Sequence, residues 1–234
     1  MTDEAPKRFY KKAEAGEAAG GYTVLLDGRT LRTPAKAMFV APTQKLATLA
    51  AEEWAGQGET ILAATMPLTR LINVALDHTP RTRGEMAAQI GKFAETDLAC
   101  HRAEHPPSLA ARQAAAWDPL LDWAESVGAP LQAAGGILAL DQPQASLDAF
   151  TTRAAALDDF RLTGLAHAAG LSTSALIAFA IAEQRLNAKD AFAAGALDDL
   201  FHLETWGEDE EARQRLNNQK AEYEALERFF GALA

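Results

Sequence analysis

The first forty residues carry the apolar and polar pattern of β-strands. Residues 21–27 are rich in β-favouring side chains, and residues 29–33 resume the pattern after the Asp27-Gly28 pair. Asp-Gly between two such segments is typical of a tight hairpin turn. Two further short strands are predicted at Phe9-Tyr10 and Met38–Val40. The sequence therefore predicts a small antiparallel sheet at the amino terminus.

From Thr43 onward the spacing of apolar residues changes to the three-and-four period of helices. One helix is predicted to end at Gly56 and Gly58. Pro119 lies inside a later helical pattern and predicts either a kink or a new helix start capped by Asp118. Further helices are predicted over residues 68–76, 86–99 and 117–127.

The second half of the chain is predicted to be almost entirely helical. Residues 131–144 contain Gly and Pro and are predicted to form a linker or a short extended piece. The segment after Ser172 is apolar on all sides, which is typical of a helix in the centre of a core. The predicted helices span residues 146–157, 159–168, 172–185, 189–205 and 208–231.

These patterns predict an α+β fold that is mostly helical. A small antiparallel β-rich N-terminal domain with one helix is expected over residues 1–62. A larger all-helical C-terminal domain is expected over residues 63–234. No heptad repeat predicts a coiled coil, and we expect a monomer.

Charge and composition narrow the class of partner. The 234 residues carry a formal net charge of -10, which disfavours nucleic acid because phosphate binding needs clustered Lys and Arg. The single cysteine, Cys100, excludes an internal disulfide and fits a reducing compartment. The most apolar segment, Ser174–Ala182, is shorter than the roughly 20 residues that cross a bilayer. We expect a soluble cytoplasmic protein without membrane insertion, because no signal or transit peptide is apparent.

Motifs for nucleotide binding or catalysis are missing from the sequence. Neither a phosphate-binding G-x-x-x-x-G-K-[ST] loop nor a G-x-G-x-x-G segment after a strand occurs, so no cofactor is expected. Cys100, His101 and His105 have metal-ligand side chains. Pro106-Pro107 would end any helix that placed both histidines on one face, and no metal site is expected. The alternative hypothesis is a small metal-dependent or acid/base hydrolase that uses Asp97, Cys100, His101 and His105.

Three acidic segments allow structural or functional interpretations. The pairs Asp158-Asp159 and Asp198-Asp199 are adjacent on helices, so their carboxyls do not face each other, and the first pair is interpreted as a helix start. Glu95-Thr96-Asp97 lies at the end of a predicted helix, where acids oppose the helix dipole. It is predicted either to be functional or to pair with Lys92 or Arg102.

The densest negative charge follows Trp206 and Gly207. Gly207 suits a break between helices, and the next four residues are all acidic. One or two acids satisfy the dipole at the start of a helix, and four exceed that need. We expect the first acids to cap the helix and the later ones to meet a partner.

Several motifs occur in an order that resembles a known family. The resemblance is to the assembly chaperone of the F1 sector of ATP synthase that attends the alpha subunit. It covers nearly the whole chain, and its one clear departure is His101, where a tyrosine is expected before Arg102. The motifs are Lys7-Arg8-Phe9-Tyr10-Lys11, Gly21-Tyr22, Leu26-Asp27-Gly28-Arg29-Thr30-Leu31-Arg32-Thr33-Pro34, Glu53-Trp54, Met66-Pro67-Leu68-Thr69, Glu95-Thr96-Asp97-Leu98, Arg112-Gln113, Trp117-Asp118-Pro119-Leu120-Leu121 and Trp206-Gly207-Glu208-Asp209.

The resemblance implies an ATP-independent chaperone and no enzyme. Members of the family bind the unassembled F1 alpha subunit and shield its beta-facing surface until the hexamer forms. Eukaryotic members act in mitochondria, and this alanine-rich chain is interpreted as a bacterial cytoplasmic relative. The residues predicted to contact the partner are Glu95, Asp97, Arg102, Glu204, Trp206, Asp209 and Glu210.

Overall fold

The amino-terminal sheet is built from three antiparallel strands in the order β1-β2-β3. The computed structural model describes residues 6–136, 140–207 and 210–234. Strands β1 (Ala13–Ala18), β2 (Gly21–Leu26) and β3 (Arg29–Thr30) are joined by tight turns. The predicted hairpin at Asp27-Gly28 is confirmed: both residues have positive φ, and Leu26 pairs with Arg29.

Two of the strands predicted from the sequence are wrong. Phe9-Tyr10 forms no strand, and the sheet uses β1 in its place. Met38–Val40 contributes only an isolated bridge between Met38 and Arg32. The sequence of β1, AEAGEA, has no β-branched or aromatic side chain. Its extended conformation therefore comes from pairing with β2 and not from local propensity.

Helices α1 (Gln44–Ala55) and α2 (Pro67–Asp77) are tied to each other and to this sheet region. The Glu53 carboxylate accepts hydrogen bonds from the Leu68 and Thr69 amides, both at 2.8 Å. These amides lie in the first turn of α2, where backbone N–H groups lack helical partners. The Thr33 hydroxyl donates to Asp77 at 2.7 Å at the other end of α2.

The chain divides into two compact units. One contains the residues up to Thr82 together with Gly231–Ala234, and the other lies between Arg83 and Phe230. Helix α2 belongs to the first unit, as its bonds to Glu53 and Thr33 require. The predicted division into a β-rich domain of residues 1–62 and a helical domain of residues 63–234 stays a prediction.

The remaining elements are mainly helical, as predicted. A short parallel pair, β4 (His101–Arg102) with β5 (Ala134–Gly135), shows that residues 131–144 include an extended piece. No helix among the described residues is both long and apolar enough to cross a bilayer. The helices are α3 (Thr79–Glu95), α4 (Pro107–Ser126), α5 (Gln144–Ala155), α6 (Asp159–Ser172), α7 (Ala175–Ala182), α8 (Ala188–Gly195), α9 (Leu197–Trp206) and α10 (Glu210–Ala232).

Several predicted helix bounds are wrong. The helix predicted over residues 86–99 is α3, which begins at Thr79 and ends at Glu95, and the helix predicted from residue 117 is part of α4, which begins at Pro107. Helix α4 continues through Pro119, so the alternative of a new helix start at Asp118 is wrong. The single helix predicted over residues 189–205 is two helices, α8 and α9, separated at Ala196. The Asp158-Asp159 interpretation is confirmed, since Asp158 accepts from the Arg161 amide at 2.9 Å and caps α6.

Helix α7 lies in the core of the second unit. Its residues from Ala175 to Ile181 are all buried, as its uniformly apolar sequence predicts. Gly195, at the end of α8, shows how closely this unit is packed. A β-carbon there would lie 2.2 Å from the hydroxyl of Tyr223, a residue that is completely buried.

Gly195→Ala is expected to lower the free energy of unfolding by about 1–3 kcal/mol, because the added methyl group would overlap the hydroxyl of the completely buried Tyr223. Gly170→Ala is the matched control. Gly170 is exposed on α6, and a β-carbon added there would meet no atom within 4 Å, so alanine should raise stability by about 0.5–1 kcal/mol. Urea denaturation of both variants measures the difference. Equal effects would contradict the packing argument.

Candidate functional site

Asp97 is completely buried and joins two helix starts. Its Oδ1 accepts from the Ser174 hydroxyl at 2.7 Å and from the Ala99 amide at 3.0 Å. Its Oδ2 accepts from the Leu176 amide at 3.0 Å. Ala99 lies in a 3₁₀ turn, Leu98–Cys100, and Leu176 lies in the first turn of α7. One carboxylate therefore satisfies backbone donors in two elements.

This arrangement explains why an acid occurs just after α3, where it would oppose the dipole of that helix. Helix α3 ends at Glu95, and Asp97 stabilises the helix starts that follow in space, where negative charge is favourable. Asp97 pairs with neither Lys92 nor Arg102, so the predicted ion pairs are wrong. Asp97 is also predicted to contact the partner, but its side chain is completely buried and offers no surface for a direct contact.

Burial raises the pKa of Asp97 from 3.8 to about 6. The hydrogen bonds from Ser174 and from the amides of Leu176, Ala99 and Ala175 lower the pKa, but they only partly offset the loss of water. A raised pKa marks catalytic acids in clefts. Here the carboxylate has protein donors on both oxygens, so its role is structural.

Arg102 is held by three neighbours. Its Nε donates to the Ala99 carbonyl at 2.9 Å, and its guanidinium lies 2.8 Å from Asp118 and 5.3 Å from the centre of the Trp117 ring. The side chain is only 14% exposed. Arg102 therefore connects the 3₁₀ turn and β4 to α4, and little of it can reach a partner.

The residues of the hydrolase hypothesis do not assemble. Within residues 6–136, 140–207 and 210–234, no three His, Cys, Asp or Glu side chains lie close enough to hold a metal ion. Cys100 is buried, and burial together with the charge of Asp97 raises the pKa of its thiol to about 12. A thiol in this state is a poor nucleophile and metal ligand. His101 is partly exposed in β4, and His105 is exposed.

Trp206 is the most exposed large hydrophobic side chain in the described part of the chain, at 74%. It ends α9, and Gly207 follows with a φ of 92°, as the predicted helix break requires. The His202 ring lies 4.7 Å from the Trp206 ring. Burying an indole is favourable, so a Trp side chain left in water makes no such contribution to folding. Its exposure therefore favours a role in binding.

Helix α4 holds α9 in place beneath Trp206. Arg112 pairs with Glu204 at 2.6 Å and lies over the Phe201 ring. The Gln113 amide group donates to Asp198 at 2.8 Å and accepts from the Ala103 amide at 2.7 Å. No local sequence pattern predicts these roles of Arg112 and Gln113, because their partners Glu204 and Asp198 lie far away along the chain.

The acids around this helix end differ in setting. The Glu204 side chain is 57% exposed in its ion pair with Arg112, and the Glu210 side chain is 84% exposed near Arg213. Glu210 lies in the first turn of α10, where its charge also favours the helix. Asp209 lies outside the described residues. Glu95 is exposed at the end of α3.

Comparison with known proteins identifies the family. The family model of the ATP12 chaperone protein matches residues 7–125, more than half of the 234 residues. The chain belongs to the ATP12 chaperone family.

Solved structures agree with this assignment. Atp12 from Paracoccus denitrificans is 36% identical, with 98% of this chain and 99% of that chain covered and a TM-score of 0.90. A protein of Agrobacterium tumefaciens is 38% identical over 98% of this chain and 87% of its own, with a TM-score of 0.91. The mitochondrial protein atp12 of Schizosaccharomyces pombe is 26% identical over 89% of this chain and 76% of its own. The predicted fold class is thereby confirmed in this ATP12-family protein.

Asp97→Asn is expected to lower the free energy of unfolding at pH 7 by about 1.5–3 kcal/mol, since an amide nitrogen would face backbone donors. Glu95→Gln makes the same chemical change at an exposed position two residues earlier and should be neutral. Chemical denaturation monitored by circular dichroism measures both. An Asn variant as stable as wild type would remove Asp97 from its structural role.

The advantage of wild type over Asp97→Asn is expected to shrink as pH rises from 4 to 6. The unfolded chain releases the Asp97 proton near pH 4, and the folded chain keeps it until about pH 6. The folded state therefore binds more protons in this window, so its stability falls by up to about 3 kcal/mol with rising pH. Paired denaturation curves at pH 4, 5, 6 and 7 test the sign. A difference that grows with pH would contradict the raised pKa.

Proposed function

We propose that this chain is an assembly chaperone that binds the unassembled F1 alpha subunit and shields its beta-facing surface until the F1 hexamer forms. The observation that carries the proposal is the similarity to Atp12 over nearly the whole chain, in sequence and in fold. Holding a client needs no nucleotide, and the sequence contains no phosphate-binding loop. The proposed action is ATP-independent and without catalysis of its own.

The proposed cellular setting is the bacterial cytoplasm, with the protein acting as a monomer. Two of the similar structures come from bacteria, and the similar fission-yeast protein is described as mitochondrial. These relatives support the proposed bacterial setting.

The proposed contact surface is the end of α9 and the start of α10. Trp206 supplies an exposed aromatic anchor, and the exposed Glu204 and Glu210 add negative charge from the end of α9 and the start of α10. Asp209 is proposed as a contact from its position in the sequence alone. Aromatic residues are enriched among the side chains that dominate binding energy, and rim charges steer the encounter. Glu95 is proposed as a further contact. Asp97 and Arg102 are proposed to act indirectly, by holding the elements beneath the surface.

The experiment is co-purification of the isolated F1 alpha subunit with wild type and with an Asp209→Lys, Glu210→Lys double variant. The double variant is expected to weaken the complex at least tenfold, because two favourable charges become unfavourable. Trp206→Ala should weaken it similarly, with unchanged stability, since the ring is already exposed.

The control is Glu224→Lys with Glu227→Lys, which makes the same charge change at two exposed positions further along α10. This control should bind the alpha subunit as wild type does. Loss of binding in both double variants would show that only net charge matters. A wild-type protein that neither binds the alpha subunit nor suppresses its aggregation would refute the proposed function.

A further inference from the structure

A groove of about 290 Å³ lies in the first unit, between α1, α2 and the segment after β3. Its walls are largely apolar and include Pro34, Ile61, Ala63 and Met66. Arg32 and Arg70 also line it. Among the described lining residues there is no acid, in a chain whose net charge is -10. The groove therefore differs in charge from the chain as a whole.

Three polar atoms in the lining side chains are buried and lack a hydrogen-bond partner within the described chain. They are the indole N–H of Trp54, the hydroxyl of Thr69 and the side-chain carbonyl of Asn73. Thr69 is only 4% exposed. A buried polar group without a partner costs free energy, so three around one groove call for an explanation.

The backbones that carry these side chains are firmly held. The Trp54 carbonyl accepts from the Tyr10 hydroxyl at 2.6 Å, and the Thr69 amide donates to Glu53 at 2.8 Å. Thr69 and Asn73 are four residues apart on α2 and so share one face. Rotation about a single side-chain bond is enough to redirect a hydroxyl or an amide oxygen toward the groove.

Three exposed hydrophobic side chains are chain neighbours or backbone partners of residues that line the groove. Leu62 is 49% exposed between Ile61 and Ala63, and Val74 is 38% exposed next to Asn73. Met38 is 43% exposed and pairs by a backbone bridge with Arg32. Apolar surface next to a groove with unused hydrogen-bonding groups is typical of a binding site.

The chemistry of the lining selects the ligand class. Trp54 donates, Asn73 Oδ1 accepts and Thr69 can do either. A simple anion would give the Asn73 carbonyl no hydrogen-bond donor, and a hydrocarbon would give none of the three atoms a hydrogen-bond partner. A peptide group offers one donor and one acceptor, and the adjoining apolar surface suits the side chains of an extended segment. The two arginines favour an acidic side chain in that segment.

We propose that this groove binds an extended segment of an unfolded partner polypeptide, with a backbone amide at Thr69 and Asn73 and an acidic side chain at Arg32 and Arg70. This inference rests on the proposed chaperone function and adds a second client-binding surface, in a different unit from Trp206. The groove recognises main-chain amides and so acts on a segment before it folds.

The test uses Thr69→Val and Asn73→Leu, which remove the unpartnered atoms while keeping approximate side-chain volume. The probes are the isolated F1 alpha subunit and reduced, carboxymethylated lactalbumin, an acidic chain that stays unfolded. Each variant is expected to raise the Kd for the unfolded chain about tenfold, the equivalent of one well-formed hydrogen bond. The free variants should unfold at the same or higher denaturant concentration, because an unpaired buried group has been removed.

The controls are Thr48→Val on the exposed face of α1 and Asn218→Leu on the exposed face of α10. Both make the same chemical changes away from the groove, and both should bind as wild type does. Wild type that binds the unfolded chain but not the alpha subunit, with weaker binding in the groove variants, supports the groove and refutes the proposed function.

Other outcomes overturn the groove proposal alone. Unchanged affinity of both groove variants for both probes would leave the alpha-subunit function standing and remove the groove from it. Lower folding stability of Thr69→Val would show that the hydroxyl has a partner inside the protein. A wild-type dimer in sedimentation that the groove variants abolish would make the groove an interface between copies of this chain.

Discussion

The structure of the second unit depends on which groups accept hydrogen bonds from the backbone N–H groups at the start of the buried helix α7. Helix α7 has apolar side chains on every face, so it packs in the core but brings no polar side chain of its own to its first turn. Its free N–H groups lie far from water and need acceptors. Ser174 meets one of them, at Ile177, and Asp97 meets another, at Leu176. The acid comes from a segment far away in sequence, and it couples α7 to the end of α3.

The same segment extends this coupling outward. The 3₁₀ turn that Asp97 caps accepts a bond from Arg102, which lies over Trp117 of α4. The indole N–H of Trp117 donates to the Ala194 carbonyl of α8 at 3.0 Å. A short chain of contacts therefore connects α7, α4 and α8. Helix α9 follows α8 directly and ends in the exposed Trp206, so the proposed contact surface rests on this buried framework.

Local signals in the sequence predicted some elements correctly because those elements need little beyond their own residues. The Asp27-Gly28 hairpin, the α7 core helix and the Asp158 cap are of this kind. Strand β1 lacked such a signal, since its alanines and glutamates adopt an extended form only against β2. The break between α8 and α9, inside the single helix predicted over residues 189–205, also depends on residues distant in sequence. It lies next to Gly195, where the buried Tyr223 ring leaves no space for a side chain.

The sequence by itself determined the fold class, the family and the position of the acidic segment after Trp206. Those properties follow from residue order and periodicity, which depend only on the sequence. Only the tertiary structure decided which acidic side chains are exposed to a partner and which are buried. It buried Asp97 against donors from residues 99, 174 and 176, and it left Trp206 and Glu210 exposed. It also brought Trp54, Thr69 and Asn73 to one groove. Burial and hydrogen-bond partnership depend on residues distant in sequence, so no local pattern contains them.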